Sequence, residues 1–271
     1  MNRPALILSA LCILGTSVGA QAPPETGPQC LTQAYPDFWA PWRNQGSLDN
    51  TLTTRNGDTW AYSEHKDHLT RTELLNQADL KAHMSQPYPA GFPASLPGPN
   101  QDPGRMRSEA LLKALYGHNR QEVQRHLVSV PWAPNGRTVL FHRRHGAAPA
   151  LQRVGQALAE NPALAAYVRQ PAGSFNWRHI AGSTRQSMHS FGAAIDFALP
   201  HQLGHYWQWR GCKENSPCPY PEAVLRDPLL KQVVTAFEKE GFIWGGKWAH
   251  FDTLHFEYRP ELVGYSCKNV K

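Results

Sequence analysis

Apolar positions recur at helical spacing in several stretches of the chain. Leu229, Leu230, Val233, Val234 and Phe237 follow Asp227 as a cap and Pro228 in the first turn, and stop before Gly241, which predicts the best-defined helix. Leu151, Val154 and Leu158 predict another over 149–160, ending near Asn161-Pro162. Ser108 caps a third over 109–116, with Leu111, Leu112 and Leu115 on one face and Gly117 as the stop; Asn119 with Glu122 fits a capping box for a short helix after it. Residues 70–84 also read as helical, with Leu74, Leu75 and Leu80 apolar. Strand signals are shorter. Val139 to Phe141 is one, and around Asp196 the residues Ala193, Ile195 and Phe197 alternate with Ala194, Asp196 and Ala198, giving one strongly apolar face and one small face. Helices preceding short strands, without a regular strand-helix-strand rhythm, argue for an α+β fold: a small, mostly antiparallel sheet with helices packed on one side.

Candidate chemistry gathers in two segments, Ser187 to Asp196 and Asp252 to Glu257. Histidine, aspartate and a second histidine are an ordinary ligand set for a catalytic zinc, and a nearby unliganded carboxylate suits a proton acceptor for water. Asp196 points away from the core over alanines that leave room beside it. His189 precedes Gly192, and a chain that bends at that glycine brings the imidazole back to the same spot. Asp252 and His255 would face opposite ways in a regular strand, so Asp252 belongs in the turn before the strand, leaving His255 to ligate. Glu257 shares a strand face with His255 and is expected to support it rather than bind metal. Ser187 lacks a Gly-x-Ser-x-Gly elbow and is expected to shape the turn. Each motif is common by itself; the combination is sharper.

Ser187-x-His189-x-x-Gly192-x-Ala194-x-Asp196 followed by Asp252-x-x-His255-Phe-Glu257 resembles the zinc peptidase family of D-alanyl-D-alanine carboxypeptidases and L-alanyl-D-glutamate endopeptidases, which trim bacterial peptidoglycan. Phe175 to Gly182 and Gly241 to Trp248 are similar to the same family, particularly its endopeptidase-like branch. The resemblance implies Zn²⁺ held by His189, Asp196 and His255 at the sheet of an α+β fold, and Asp252 as general acid/base. The carboxypeptidase branch usually has glutamate where Asp252 stands, so the aspartate favours the endopeptidase-like branch. Arg178, in the family-like segment before His189, is the candidate partner for the oxyanion, with Arg185 as its competitor; either could bind a substrate carboxylate instead. His250 could orient Asp252 or meet substrate, and Trp207, Trp209, Trp244 and Trp248 could floor the cleft. The expected function is hydrolysis of an amide in peptidoglycan stem peptides, of L-Ala-D-Glu endopeptidase or D,D-peptidase type, by zinc-activated water. The alternative is a non-catalytic zinc-containing cell-wall-binding module, which would have no need of Asp252.

The ends of the chain add a compartment. Arg3, the apolar stretch 5–20 and Ala20-Gln21-Ala22 predict a signal peptide over 1–22, too short in its apolar core for a confident membrane span. A periplasmic or secreted protein with no stable membrane anchor is expected. Export makes Cys30, Cys212, Cys218 and Cys267 an even set where disulfides persist: Cys212 with Cys218 across a short loop, and Cys30 with Cys267 tying the two ends. Residues 23–105, rich in Pro, Gly, Asn, Gln and aromatics, predict an irregular extension wrapping the catalytic domain of 106–271, with 87–103 as extended linker. The net charge of +6 is scattered, with no basic run alternating with aromatics. Nucleic acid is therefore not expected, and a modest positive field suits an anionic polymer such as the cell wall.

Overall fold

In the computed structural model, which describes residues 27–42, 51–89, 91–214 and 216–263, the helical stripes become core faces. The elements run α1 (Gly27–Ala34), β1 (Thr51–Thr53), β2 (Thr59–Ala61), α2 (Arg71–Gln77), α3 (Leu80–His83), α4 (Glu109–Tyr116), α5 (Arg120–Gln124), β3 (Leu127–Trp132), β4 (Arg137–His142), α6 (Ala147–Ala159), α7 (Pro162–Tyr167), β5 (Pro171–Gly173), β6 (Ala194–Phe197), α8 (Pro228–Lys239), β7 (Phe242–Trp244), β8 (His255–Tyr258) and α9 (Pro260–Val263). The expected caps hold their helices: Asp227 accepts from the amide of Leu230 at 2.7 Å, and Ser108 from that of Leu111 at 3.3 Å. The single helix expected over 70–84 is instead two. Asp79 accepts from the amides of Ala82 and Glu64, both at 2.8 Å, and so starts α3 afresh instead of continuing α2.

The main sheet has the order β5-β6-β8-β7, antiparallel throughout, so β6 and β8 lie in its middle. Their register sets Asp196 opposite His255 and Ala194 opposite Glu257. One face carries Ile195, Phe197, Phe256 and Phe242, which join Leu151 and Val154 of α6 and Leu230, Val233 and Phe237 of α8 in a single apolar cluster. Phe237 stacks on Phe256 with ring centres 4.1 Å apart. The α+β layering is as expected, and a second cluster adds to it. Ala194 and Ile243 pack with Leu111 and Leu115 of α4, Leu80 of α3, and Leu31, Tyr35 and Trp39 from the N-terminal part. Trp39 is buried edge-on against Trp60, a packing role.

Cys212 and Cys218 are bridged, with Cα atoms 5.6 Å apart. Cys30 is also disulfide-bonded; its expected partner Cys267 lies outside the described residues, as does the expected leader over 1–22. Among the described residues no helix is long and apolar enough to cross a membrane.

Candidate metal centre

Ser187 accepts from the amide of His189 at 3.3 Å and opens a short 3-10 turn over Met188–Phe191. Gly192 ends that turn at φ 63°, a left-handed conformation, and a Cβ there would lie 2.5 Å from Leu127 Cδ2. Only glycine meets both demands. The bend returns His189 to the face of the sheet that bears Asp196 and His255.

Three donor atoms converge at that point. His189 Nε2 lies 3.2 Å from His255 Nδ1 and 3.2 Å from Asp196 Oδ1, and His255 Nδ1 lies 2.9 Å from the same oxygen. A tetrahedral zinc bonded at about 2.0–2.1 Å needs ligand atoms roughly 3.3–3.4 Å apart, so the triangle fits after a small outward relaxation. The far sides of both rings are engaged: His189 Nδ1 faces the Ser174 carbonyl at 2.6 Å, and His255 Nε2 faces Glu257 Oε2 at 3.1 Å. Each outward nitrogen has an acceptor for its own proton, so the inward nitrogen is the one whose lone pair a metal would take in place of a proton. Burial opposes ionisation of Asp196, but hydrogen bonds from His189 and His255 hold its carboxyl well below the usual range. Burial would likewise lower His255, yet Asp196 and Glu257 raise it to about 10. Negative charge that attracts a proton so strongly suits a divalent cation as well.

Glu257 belongs to a buried chain of charges. Arg259 donates to Glu257 at 2.8 Å and to Glu261 at 2.5 Å; Glu261 also accepts from Tyr35 at 2.6 Å and faces His83 Nε2 at 3.0 Å. His83 Nδ1 accepts the Ser108 amide at 3.0 Å, so its proton sits on Nε2. Burial raises a carboxyl, but the His255 hydrogen bond and the charges of Arg107 and Arg259 keep Glu257 at about 2.

Asp252 stands in the turn before β8, its amide donating to the Gly245 carbonyl at 3.0 Å and its backbone bridged to Tyr206. It lines the same cleft, of about 310 Å³, as the three converging residues. Burial, then the Asp196 charge, push its carboxyl up to about 7. Arg178 and Arg185 both reach this cleft but differ in setting. Arg178 is exposed, its guanidinium contacting the His179 carbonyl at 3.5 Å, whereas Arg185 is buried. His250 does not orient Asp252. Its nitrogens face Asp102 Oδ2 and the Glu214 carbonyl, both at 2.8 Å. Trp207, Trp209 and Trp248 line the cleft, Trp209 being 71% exposed at its rim. Trp244 sits in the core and donates to the Thr253 carbonyl at 2.9 Å.

Sequence reasoning missed Arg105 and Arg107 on the cleft wall, and the carboxylate that holds Arg105. Glu214, inside the Cys212–Cys218 loop, accepts from Arg105 at 2.9 and 3.0 Å and from Arg71 at 2.7 Å. The alternation Arg105-Met-Arg107 amid prolines and glycines was the available signal, but it resembles an ordinary solvated stretch.

A family model described as D-alanyl-D-alanine carboxypeptidase matches residues 181–258, a span holding His189, Asp196, Asp252, His255 and Arg185. Arg105, Arg107 and Arg178 lie before the matched span. No curated protein and no solved structure matches the chain.

Proposed function

We propose, from the match of residues 181–258 to a family model described as D-alanyl-D-alanine carboxypeptidase, that the protein is an exported zinc metallopeptidase that hydrolyses an amide bond in peptidoglycan stem peptides. The observation that carries this reading is the triangle of donor atoms from His189, Asp196 and His255, with both outward ring nitrogens already occupied. Zinc bound there would supply Lewis acidity and bring the pKa of water toward neutrality. The rest falls to the chain's own groups. Asp252, pushed up to about 7, takes a proton from the attacking water and returns it to the leaving amine, as a group titrating near neutrality can do in both directions. Arg178 meets the negative charge that grows on the carbonyl oxygen. Trp207, Trp209 and Trp248 give the peptide apolar walls. Residues 1–22 direct export to the periplasm or beyond, 106–271 form the catalytic domain, and 23–105 wrap it.

Two measurements on protein lacking residues 1–22 test the reading. Metal analysis should find one zinc per chain in the wild type and far less in His189→Ala, because loss of one of three protein ligands weakens binding by orders of magnitude. Purified peptidoglycan incubated with the zinc-loaded wild type should release peptides, and mass spectrometry of them identifies the bond. Equal metal in both proteins, or an untouched polymer, overturns it.

A further inference from the structure

Arg185 is a guanidinium on the cleft wall without a counter-charge. The residue is 8% exposed; among the described residues its side chain has one hydrogen bond, from Nη1 to the Arg105 carbonyl at 3.3 Å, and Nε is buried without a partner there. The nearby carboxylates are committed elsewhere. Glu214 is gripped by Arg71 and Arg105, Asp102 by Arg71, Arg105 and His250, and Glu257 by Arg259 and His255, with Arg107 at 3.7 Å. Among the described residues none pairs with Arg185. The contrast with its neighbour is instructive: burial, Arg107 and Arg105 lower the Arg185 pKa to about 10, whereas Glu214 and Asp102 outweigh burial and raise that of Arg105.

A buried charge left uncompensated is costly, and a hydrophobic side chain of similar length would remove the cost. The charge makes physical sense if its partner arrives from outside. We propose that Arg185, flanked by Arg107, seats a carboxylate of the substrate within the metal cleft. The ligand class is a short peptide with a free carboxylate near the amide to be cleaved, and the inference rests on the peptidase reading of the cleft. That carboxylate could be the C-terminus of the peptide or the free carboxylate of an isoglutamyl residue within it; Arg185 is a binding residue in either case.

Calorimetry on the zinc-loaded protein separates the possibilities. The probes are N-acetyl-D-alanine against its C-terminal amide, and a γ-linked N-acetyl-D-glutamyl amide with its α-carboxylate free against the same compound amidated. The wild type should prefer one acid over its amide by roughly 10- to 150-fold, the range for a hydrogen bond to a charged group. Arg185→Met should abolish that preference and Arg185→Lys should keep part of it, since an ammonium restores charge without the fork. The pair that responds identifies the source. A carboxylate held by the metal alone would bind Arg185→Met as tightly as wild type, and that result overturns the proposal, as does absence of any preference in the wild type. Thermal unfolding supplies a readout that a structural role would move the other way: without probe, Arg185→Met should be at least as stable as wild type, and a clear loss counts against the seat. Failure of the wild type to release peptides from peptidoglycan would sink the peptidase reading while leaving the calorimetric result intact.

Discussion

Asp196 and Asp252 share one cleft, yet their surroundings drive their affinities for protons in opposite directions. Two imidazoles hold Asp196 ionised, while burial and the charge of Asp196 itself raise Asp252 to about 7. That separation suits the proposed roles, ligation for the first and proton transfer for the second. Asp252→Asn should therefore keep the metal and lower kcat by about 10² to 10⁴, whereas Arg178→Ala should keep it with a loss of roughly 10² to 10³. Metal analysis beside turnover checks both, and release of metal by Asp252→Asn would make Asp252 a ligand. Glu257→Gln weakens the grip on His255 Nε2 and should cost about 10- to 100-fold in metal affinity, measured by competition with a chelator. The convergence of His189, Asp196 and His255 was legible because a bend at Gly192 and strand alternation fix it locally. Glu214 and Arg107 were not, because their roles come from residues far off in the chain: Arg105 is 109 positions from Glu214.

Among elements, the ones readable in advance announce themselves with residues inside their own first turn. Ser108 and Asp227 cap α4 and α8 through amides three residues on, so the signal and the structure share a window. The break at Asp79 escaped notice because part of its pull comes from the amide of Glu64, 15 residues back. β5, built on Pro171-Ala-Gly173, has no strand character of its own, and β7 is buried at all three positions, so neither shows alternation. The 3-10 turn before β6 is the element that aims His189 at the proposed metal site. Gly192→Ala would force a side chain into the left-handed region and against Leu127, costing at least about 1–2 kcal/mol. Its urea midpoint should fall, and its zinc affinity should fall with it, because the same bend aims His189. Unchanged affinity in a destabilised variant would show that the turn does not set the ligand.

For the molecule as a whole, the buried charges make stability depend on pH in a definite direction. Burial would raise Glu261 and Asp102, but Arg259 with His83, and His250 with Arg105, hold both at about 2 in the folded protein. Unfolded, they titrate near 4. Groups depressed in this way stabilise fully above the unfolded value, and that contribution disappears as pH drops from about 4 through about 2. Burial also lowers His83, and lowers His142 to about 3, so the unfolded chain takes up protons from about pH 6.5 downward that the folded chain refuses. His255, held at about 10 in the metal-free fold, adds stability that is complete below about pH 6.5 and is lost as pH rises toward 10. The resistance of the metal-free protein to urea should therefore weaken above neutrality and again, steeply, below about pH 4. A midpoint unchanged between pH 7 and pH 3 would contradict this account of the charge network.

The grip of Glu261 on Tyr35 and His83 also bears on how the chain can be made. The contacts join positions 226 and 178 apart, so Glu261 must leave the ribosome before Tyr35 and His83 meet their partner. Until Glu261 emerges, the Tyr35 hydroxyl and the His83 ring face a core without their carboxylate. Closing so long a loop carries a large entropic cost, which places these contacts among the slow ones to form. The clasp between these early side chains and Glu261 is thus sealed only once position 261 has been made.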